Sequence, residues 1–193
     1  LIDFGGDLAV GAMGIINSVL TLVIMAIVAL NMASQPIIGF NYGAKSVQRI
    51  KDTLKITLIS ATIIAIVSFA LIEAFPGFII LVFNNDSEVL YNIATRGLRL
   101  VILALPIVGF QVVASNFFQA IGKAGLSMFA TVFRQVIMLI PLIFILPGFF
   151  DIDGIWISYP LADTMSAMVV GFLLYREWKR LPLIIENSNE EKH

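Results

Sequence analysis

Two residues of opposite charge, Arg134 and Asp163, lie deep inside apolar stretches of the sequence. Each lies about nine residues into its stretch, which at about 1.5 Å per helical residue approaches the middle of a bilayer. A charge at that depth is costly unless it is paired or hydrated, so it is a functional candidate by default. We predict an interhelical ion pair that breaks or re-forms during transport. The alternatives are a static buried pair and an arginine that snorkels to one surface.

Neutral polar side chains recur at helical spacing in the same apolar stretches. The candidates for a shared polar face are Asn17, Asn31 and Gln35 in the first stretch, Gln111, Ser115 and Gln119 in the third, and Tyr159 in the fifth. Such residues often only bridge neighbouring membrane helices, each contributing about 0.6 kcal/mol. Several of them in one small bundle favour a polar cavity that binds a substrate, a coupling ion or both.

Prolines mark the apolar stretches as well, and four of them are predicted helix bends: Pro36, Pro106, Pro141 and Pro160. Proline removes a backbone donor and frees the carbonyl four residues earlier. In a membrane such breaks persist where neighbouring groups or a wet cavity satisfy the freed carbonyl. The pattern favours a bundle that moves, although proline is also simply common in membrane helices.

The elements that position these residues follow from composition. Of 193 residues, 59% are hydrophobic and 13% are charged, and the mean hydropathy is +0.97, whereas soluble domains carry about 25% charged residues. The net charge of -1 predicts no nucleic-acid partner. Cysteine is absent and the single histidine, His193, is terminal, so we expect no catalytic residue, metal site or cofactor. The GxSxG and HExxH patterns of intramembrane enzymes are also missing, and an enzyme is not expected.

The predicted fold class is an all-α integral membrane bundle of five transmembrane helices. Within residues 8–182 the spans are placed at about 10–40, 55–83, 99–122, 126–150 and 154–176. Residues 1–7 are predicted to be an external stub after a truncated helix, and 183–193 a disordered cytoplasmic tail. Eight of the twelve basic residues fall on one side of the bundle, which the positive-inside rule makes cytoplasmic together with the C-terminus. Those eight are Lys45, Arg49, Lys51, Lys55, Lys123, Arg176, Lys179 and Arg180.

Four segments carry a family resemblance that spans nearly the whole chain. They are NMASQPIIGFNYGAKSVQR at 31–49, ALPIVGFQVVASNFFQAIGKAGLS at 104–127, RQVIMLIPLIFILP at 134–147 and DGIWISYPLADTMSA at 153–167. In this order they resemble the C-terminal lobe of the multidrug and toxic compound extrusion (MATE) family. The stretches QPIIGFNYGAK and FFQAIGKA are similar to its MepA-like bacterial subgroup.

The resemblance implies a twelve-helix protein of two six-helix lobes, of which this chain supplies helices eight to twelve. It implies a secondary active antiporter that exports organic cations or drugs in exchange for H⁺ or Na⁺ by alternating access. The implied partners are the lipid bilayer, small cationic or amphipathic drugs and the missing N-terminal lobe. The implied location is the bacterial cytoplasmic membrane. Some members hold a cation with acidic residues of helices seven and ten; helix ten here, roughly 100–122, has none, so coupling is expected in the N-terminal lobe.

A lipid-linked oligosaccharide flippase of the same superfamily is the alternative reading. Such a flippase needs several cationic residues around its cavity to bind pyrophosphate, and only Arg134 qualifies here. A passive assembly subunit would leave the prolines and the polar faces unexplained.

Overall fold

The computed structural model describes residues 2–83 and 87–190, with side chains described from 6 to 181 within those ranges. The first helices are α1 (Ile2–Gly43), α2 (Val47–Ala74), α3 (Pro76–Phe83) and α4 (Glu88–Val101), and a 3₁₀ turn, Ile102–Ala104, leads into α5 (Leu105–Ala120). The remaining elements are α6 (Ala124–Val132), a π-helical segment (Phe133–Leu139), α7 (Ile140–Ile145) and α8 (Pro147–Glu190). These ranges contain no β-strand.

Five of the described helical stretches are long and apolar enough to cross a membrane. They are Gly6–Gly43, Val47–Ala74, Glu88–Ala120, Ala124–Ile145 and Pro147–Leu181. The predicted all-α bundle of five transmembrane helices is therefore confirmed, and the chain is a multi-pass membrane protein.

The bounds of the spans differ from those expected from charge alone. The second span ends at Ala74, and a separate helix begins at Pro76 instead of continuing to residue 83. The third helical stretch begins at Glu88 rather than near residue 99, because Ser87 caps α4 by accepting a hydrogen bond from Leu90 N at 3.3 Å. The expected start of this span was too late because it was placed after most of the charged residues of α4. Those residues lie on a helix that continues into the apolar span.

The helical backbone continues toward both ends of the chain. Residues Ile2 to Gly5 are helical, and Gly6 breaks the helix with φ 63° and ψ -163°, a conformation that glycine tolerates. The backbone of α8 is helical as far as Glu190, and the disordered cytoplasmic tail expected at 183–193 stays a prediction. Leu1 and residues 191–193 lie outside the described residues.

Two of the four prolines predicted to bend helices coincide with a change of helix type. Pro106 follows the 3₁₀ turn at Ile102–Ala104, and Pro141 follows the π-helical segment. By contrast, α1 continues through Pro36 and α8 through Pro160, and their non-helical dihedrals fall at Gly6 and Asp151 (φ 49°, ψ -132°). Bending at Pro36 and Pro160 stays a prediction.

The bundle is held by close apolar contacts around α5. A Cβ on Gly109 of α5 would lie 2.8 Å from the carbonyl oxygen of Ala61 in α2, so these helices cross with their backbones nearly in contact. Phe117 and Phe118 fill the space toward one end of the bundle, whereas the buried Trp156 of α8 packs at the other end. The packing holds α5 between α2 and α8, so that one face of α5 is left for α6 and the π-helical segment.

Candidate functional site

A polar cavity of about 210 Å³ lies between α5 on one side and α6 with the π-helical segment on the other. Its polar lining comprises Gln111, Ser115, Asn116, Gln119, Ser127, Thr131 and Arg134. On α5 the lining includes positions separated by four residues, which fall on one face of a helix. The three candidate residues of the third span, Gln111, Ser115 and Gln119, are therefore brought together.

Arg134, the charged residue of this cavity, forms an ion pair with a residue that does not line the cavity. Arg134 donates through Nε to Oδ1 of Asp163 in α8. The Asp163 side chain is 8% exposed and that of Arg134 is 32% exposed. The carboxylate is thus enclosed by protein, while part of the arginine side chain remains accessible.

The π-helical segment determines where Arg134 lies. Pro141 has no N–H and its ring excludes the carbonyl of residue 137, so the regular α-helical pattern cannot run unchanged through this turn. The chain forms wider turns over Phe133–Leu139, and π-helical turns in membrane and soluble proteins are frequent at functional sites. Arg134 is therefore the second residue of this π-helical segment.

A second, smaller cavity of about 30 Å³ adjoins the ion pair. Arg134, Tyr159 and Asp163 supply its polar lining, and the rest is aliphatic: Leu20, Ile24, Val101, Leu105 and Val108. Tyr159, the candidate polar residue of the fifth span, thus lies beside the pair. Arg134 lines both cavities and forms the wall between them.

The candidate polar residues of the first span do not share one environment. Asn31 is buried and donates to Ile27 O at 3.1 Å, and it lines a tight seam with Gln35 and Asn116 between α1 and α5. Asn17 is exposed on the first half of α1 and is not among the residues that line these three sites. The polar face expected on the first span is therefore divided. Asn31 and Gln35 lie at a helix contact, whereas Asn17 lies on an open face.

Several polar contacts were not anticipated from the sequence. Asn116 lines both the polar cavity and the α1–α5 seam. The sequence feature that could have identified Asn116 is its polar amide in the middle of an uncharged span, next to Ser115. Ion pairs also close the ends of the bundle: Lys123 with Glu177 at one end, and Arg96 with Asp153 at the other. Each partner is more than 50 residues from the other in sequence, so spacing could not reveal the pairs.

The described residues contain no group of three or more His, Cys, Asp or Glu side chains that could hold a metal ion. The chemistry available at the site is thus hydrogen bonding by amides and hydroxyls, together with one arginine–carboxylate pair.

Comparison with known proteins decides the family. A model of the MatE family matches residues 1–145, about three quarters of the chain. The chain belongs to the MatE family. This finding confirms the resemblance read from the four segments above, and it makes the chain part of a transporter family.

Two curated MATE relatives match almost the whole chain. The Multidrug export protein MepA of Staphylococcus haemolyticus is 25% identical over 177 residues, covering 91% of this chain and 38% of the relative. The Probable multidrug resistance protein YoeA of Bacillus subtilis is 27% identical over 177 residues, with the same coverage. The chain spans less than half the length of the curated relatives it matches.

Solved MATE structures have the same fold. The MATE multidrug transporter DinF-BH, solved in complex with R6G, has 34% identity and a TM-score of 0.81, over 95% of this chain and 41% of that chain. An outward-facing MATE transporter gives a TM-score of 0.87 at 22% identity, over 93% of this chain and 41% of that one. An inward-facing one gives 0.83 at 21% identity, over 93% and 42%. At these lower identities the likeness shows the fold alone.

Proposed function

We propose that this chain is the C-terminal lobe of a secondary active multidrug efflux antiporter. The observation that carries the proposal is the polar cavity between α5 and α6, which has an arginine in its wall and lies within an otherwise apolar five-span bundle. Static helix contacts do not need a cavity of about 210 Å³. A transporter of this family needs a polar surface at membrane depth that faces the other lobe.

Organic cations and amphipathic drugs are the substrates that suit this wall. Its lining offers amide and hydroxyl groups, and Asp163 balances the charge of Arg134, so that the wall does not repel a cation as an unpaired arginine would. The relatives are named multidrug export or resistance proteins, and DinF-BH was solved with R6G. H⁺ or Na⁺ is the coupling ion, and export proceeds by alternating access between this lobe and an N-terminal lobe.

The proposed location is the bacterial cytoplasmic membrane with the C-terminus in the cytoplasm. The basic residues near Gly43–Val47, near Lys123 and after Tyr175 support this orientation, since cytoplasmic ends are enriched in lysine and arginine. The flippase alternative finds less support. Of the residues that line the three described sites, only Arg134 is cationic, and its charge is compensated by Asp163.

The direct test is efflux by the full-length protein that contains this chain. Expressed in a bacterial host without its own efflux pumps, it should lower the accumulation of ethidium and R6G and raise resistance to both. Dissipating the transmembrane ion gradients should abolish the effect. Normal membrane insertion without any change in the accumulation of a panel of cationic dyes would refute the proposal.

A further inference from the structure

Arg134 connects two cavities of different character. On one side Arg134 lines the polar cavity, and on the other its Nε donates to Asp163 beside the small cavity of about 30 Å³. Asp163 does not line the larger cavity. A ligand in the larger cavity therefore meets the arginine, while the carboxylate that neutralises it lies behind.

The net charge of the pair depends on one proton. With Asp163 ionised, the pair is neutral as a whole. With Asp163 protonated, the arginine keeps its charge, because guanidinium groups do not deprotonate in proteins. The wall of the polar cavity then carries one uncompensated positive charge.

We propose that Asp163 is a proton-binding site, and that Arg134 transmits its occupancy to the polar cavity as a positive charge that expels a bound cation. This inference rests on the proposed function, since it takes the ligand to be an organic cation. It goes beyond that function by assigning a coupling residue and a release mechanism to this lobe. Proton binding and cation binding exclude one another by charge, without sharing a ligand atom.

The expected size of the effect follows from Coulomb's law. Protonation removes the attraction between the Asp163 carboxylate and the cation and leaves the repulsion by Arg134 in place. For two unit charges about 6–8 Å apart, at an effective dielectric constant of about 20, losing that attraction weakens binding roughly 30- to 100-fold. Salt screens this interaction less than it would on a surface, because the Asp163 side chain is enclosed.

The surroundings of Asp163 support a single titrating group. In the small cavity α8 contributes Asp163 and Tyr159, and the π-helical segment contributes Arg134. The elements α1, α4 and α5 contribute only aliphatic side chains there. The cavity has space for about one water molecule, which is enough to carry a proton to the carboxylate.

The test measures R6G binding to the purified full-length protein from about pH 5 to about pH 8. Wild-type affinity should fall as the pH falls. Asp163→Asn, which imitates the protonated state, should bind roughly 30- to 100-fold more weakly across the range. Adding Arg134→Gln to that variant should recover most of the lost affinity and leave a flat pH profile, because neither charge remains.

The ion pair of Arg96 and Asp153 provides a matched control outside the cavity. The variant Arg96→Gln/Asp153→Asn should keep the wild-type pH profile. If Asp163→Asn does not fold, Arg134→Gln alone tests the same point, since it should bind R6G more tightly than wild type at high pH.

The results distinguish a failure of this inference from a failure of the proposed function. An unchanged pH profile in Asp163→Asn/Arg134→Gln overturns the inference, because the titrating group then lies elsewhere while binding persists. Wild-type affinity in Asp163→Asn overturns it as well. Absence of R6G binding by the wild-type protein at every pH would instead count against the proposed function.

Discussion

Gln111 of α5 donates through Nε2 to Ser166 Oγ of α8 at 2.7 Å, and both side chains are buried. The other amide atom of this glutamine, Oε1, has no hydrogen-bond partner. Because Gln111 also lines the polar cavity, the bond fixes one wall of that cavity to α8. The same helix carries Asp163, so the neutral bond and the ion pair hold α8 to two different sides of the cavity.

Ser166→Ala should reduce the stability of the full-length protein by about 0.6–1.7 kcal/mol, the range for hydrogen bonds between membrane helices. The substitution leaves a second buried atom of Gln111 unpaired. The thermal unfolding midpoint in detergent measures the effect. Ser158→Ala is the control, since buried Ser158 donates only to Gly154 O of its own helix at 2.7 Å. Equal losses in both variants would show that the bond between the helices contributes nothing.

Lys123→Met should destabilise the protein more than Glu177→Gln, by about 1–3 kcal/mol. The Glu177 side chain is 6% exposed and that of Lys123 is 30% exposed. Removing the lysine therefore strands a buried carboxylate, whereas removing the acid leaves an ammonium group that still reaches water. Thermal midpoints of both variants at neutral pH test the asymmetry. A larger loss in Glu177→Gln would contradict the burial on which the expectation depends.

Gly109→Ala should cost about 1–2 kcal/mol, although alanine is the better helix former. The new methyl group would lie 2.8 Å from Ala61 O and 3.2 Å from Ala65 Cβ, so α2 and α5 must separate. Gly14→Ala provides the control, because nothing lies within 4 Å of a Cβ at that position. We expect the control to be neutral or slightly stabilised in the same thermal assay. A neutral Gly109→Ala would mean that the two helices are less closely packed.

Ser115→Leu should lower ethidium efflux by the full-length protein roughly five- to tenfold, equivalent to about 1–1.4 kcal/mol of substrate binding. Leucine would occupy part of the cavity of about 210 Å³ and remove a hydroxyl from its wall. Phe144→Leu is the control, since that ring is 81% exposed on α7. Efflux should be compared at equal amounts of membrane-inserted protein. Unimpaired efflux by Ser115→Leu would remove this cavity from the substrate path.

Much of the fold was predictable because apolar length is a local property. Five long apolar stretches predicted the number of spans. Arg134 and Asp163 lie at similar depths in consecutive spans, and this similarity predicted the ion pair. The expected bounds were less accurate where a helix carries both charged and apolar residues, as in α4, whose first residues, including Arg96, lie before the expected span of 99–122. The backbone of α8 likewise stays helical to Glu190, beyond the expected end of the fifth span at 176.

The sequence by itself determined the membrane, the number of spans, the family and the residues with chemistry to offer. Each of these follows from hydropathy, charge or local motif, none of which needs a partner from another part of the chain. Only the tertiary structure decided which polar residues share a cavity, because helix rotation is set by packing. It placed Gln111 and Arg134 on two sides of one cavity, left Asn17 on an open face, and put Arg134 between a cavity and its carboxylate. The position of Arg134 depends on the π-helical turns before Pro141. A helical wheel drawn at about 100° per residue does not include such a departure from α-helical periodicity.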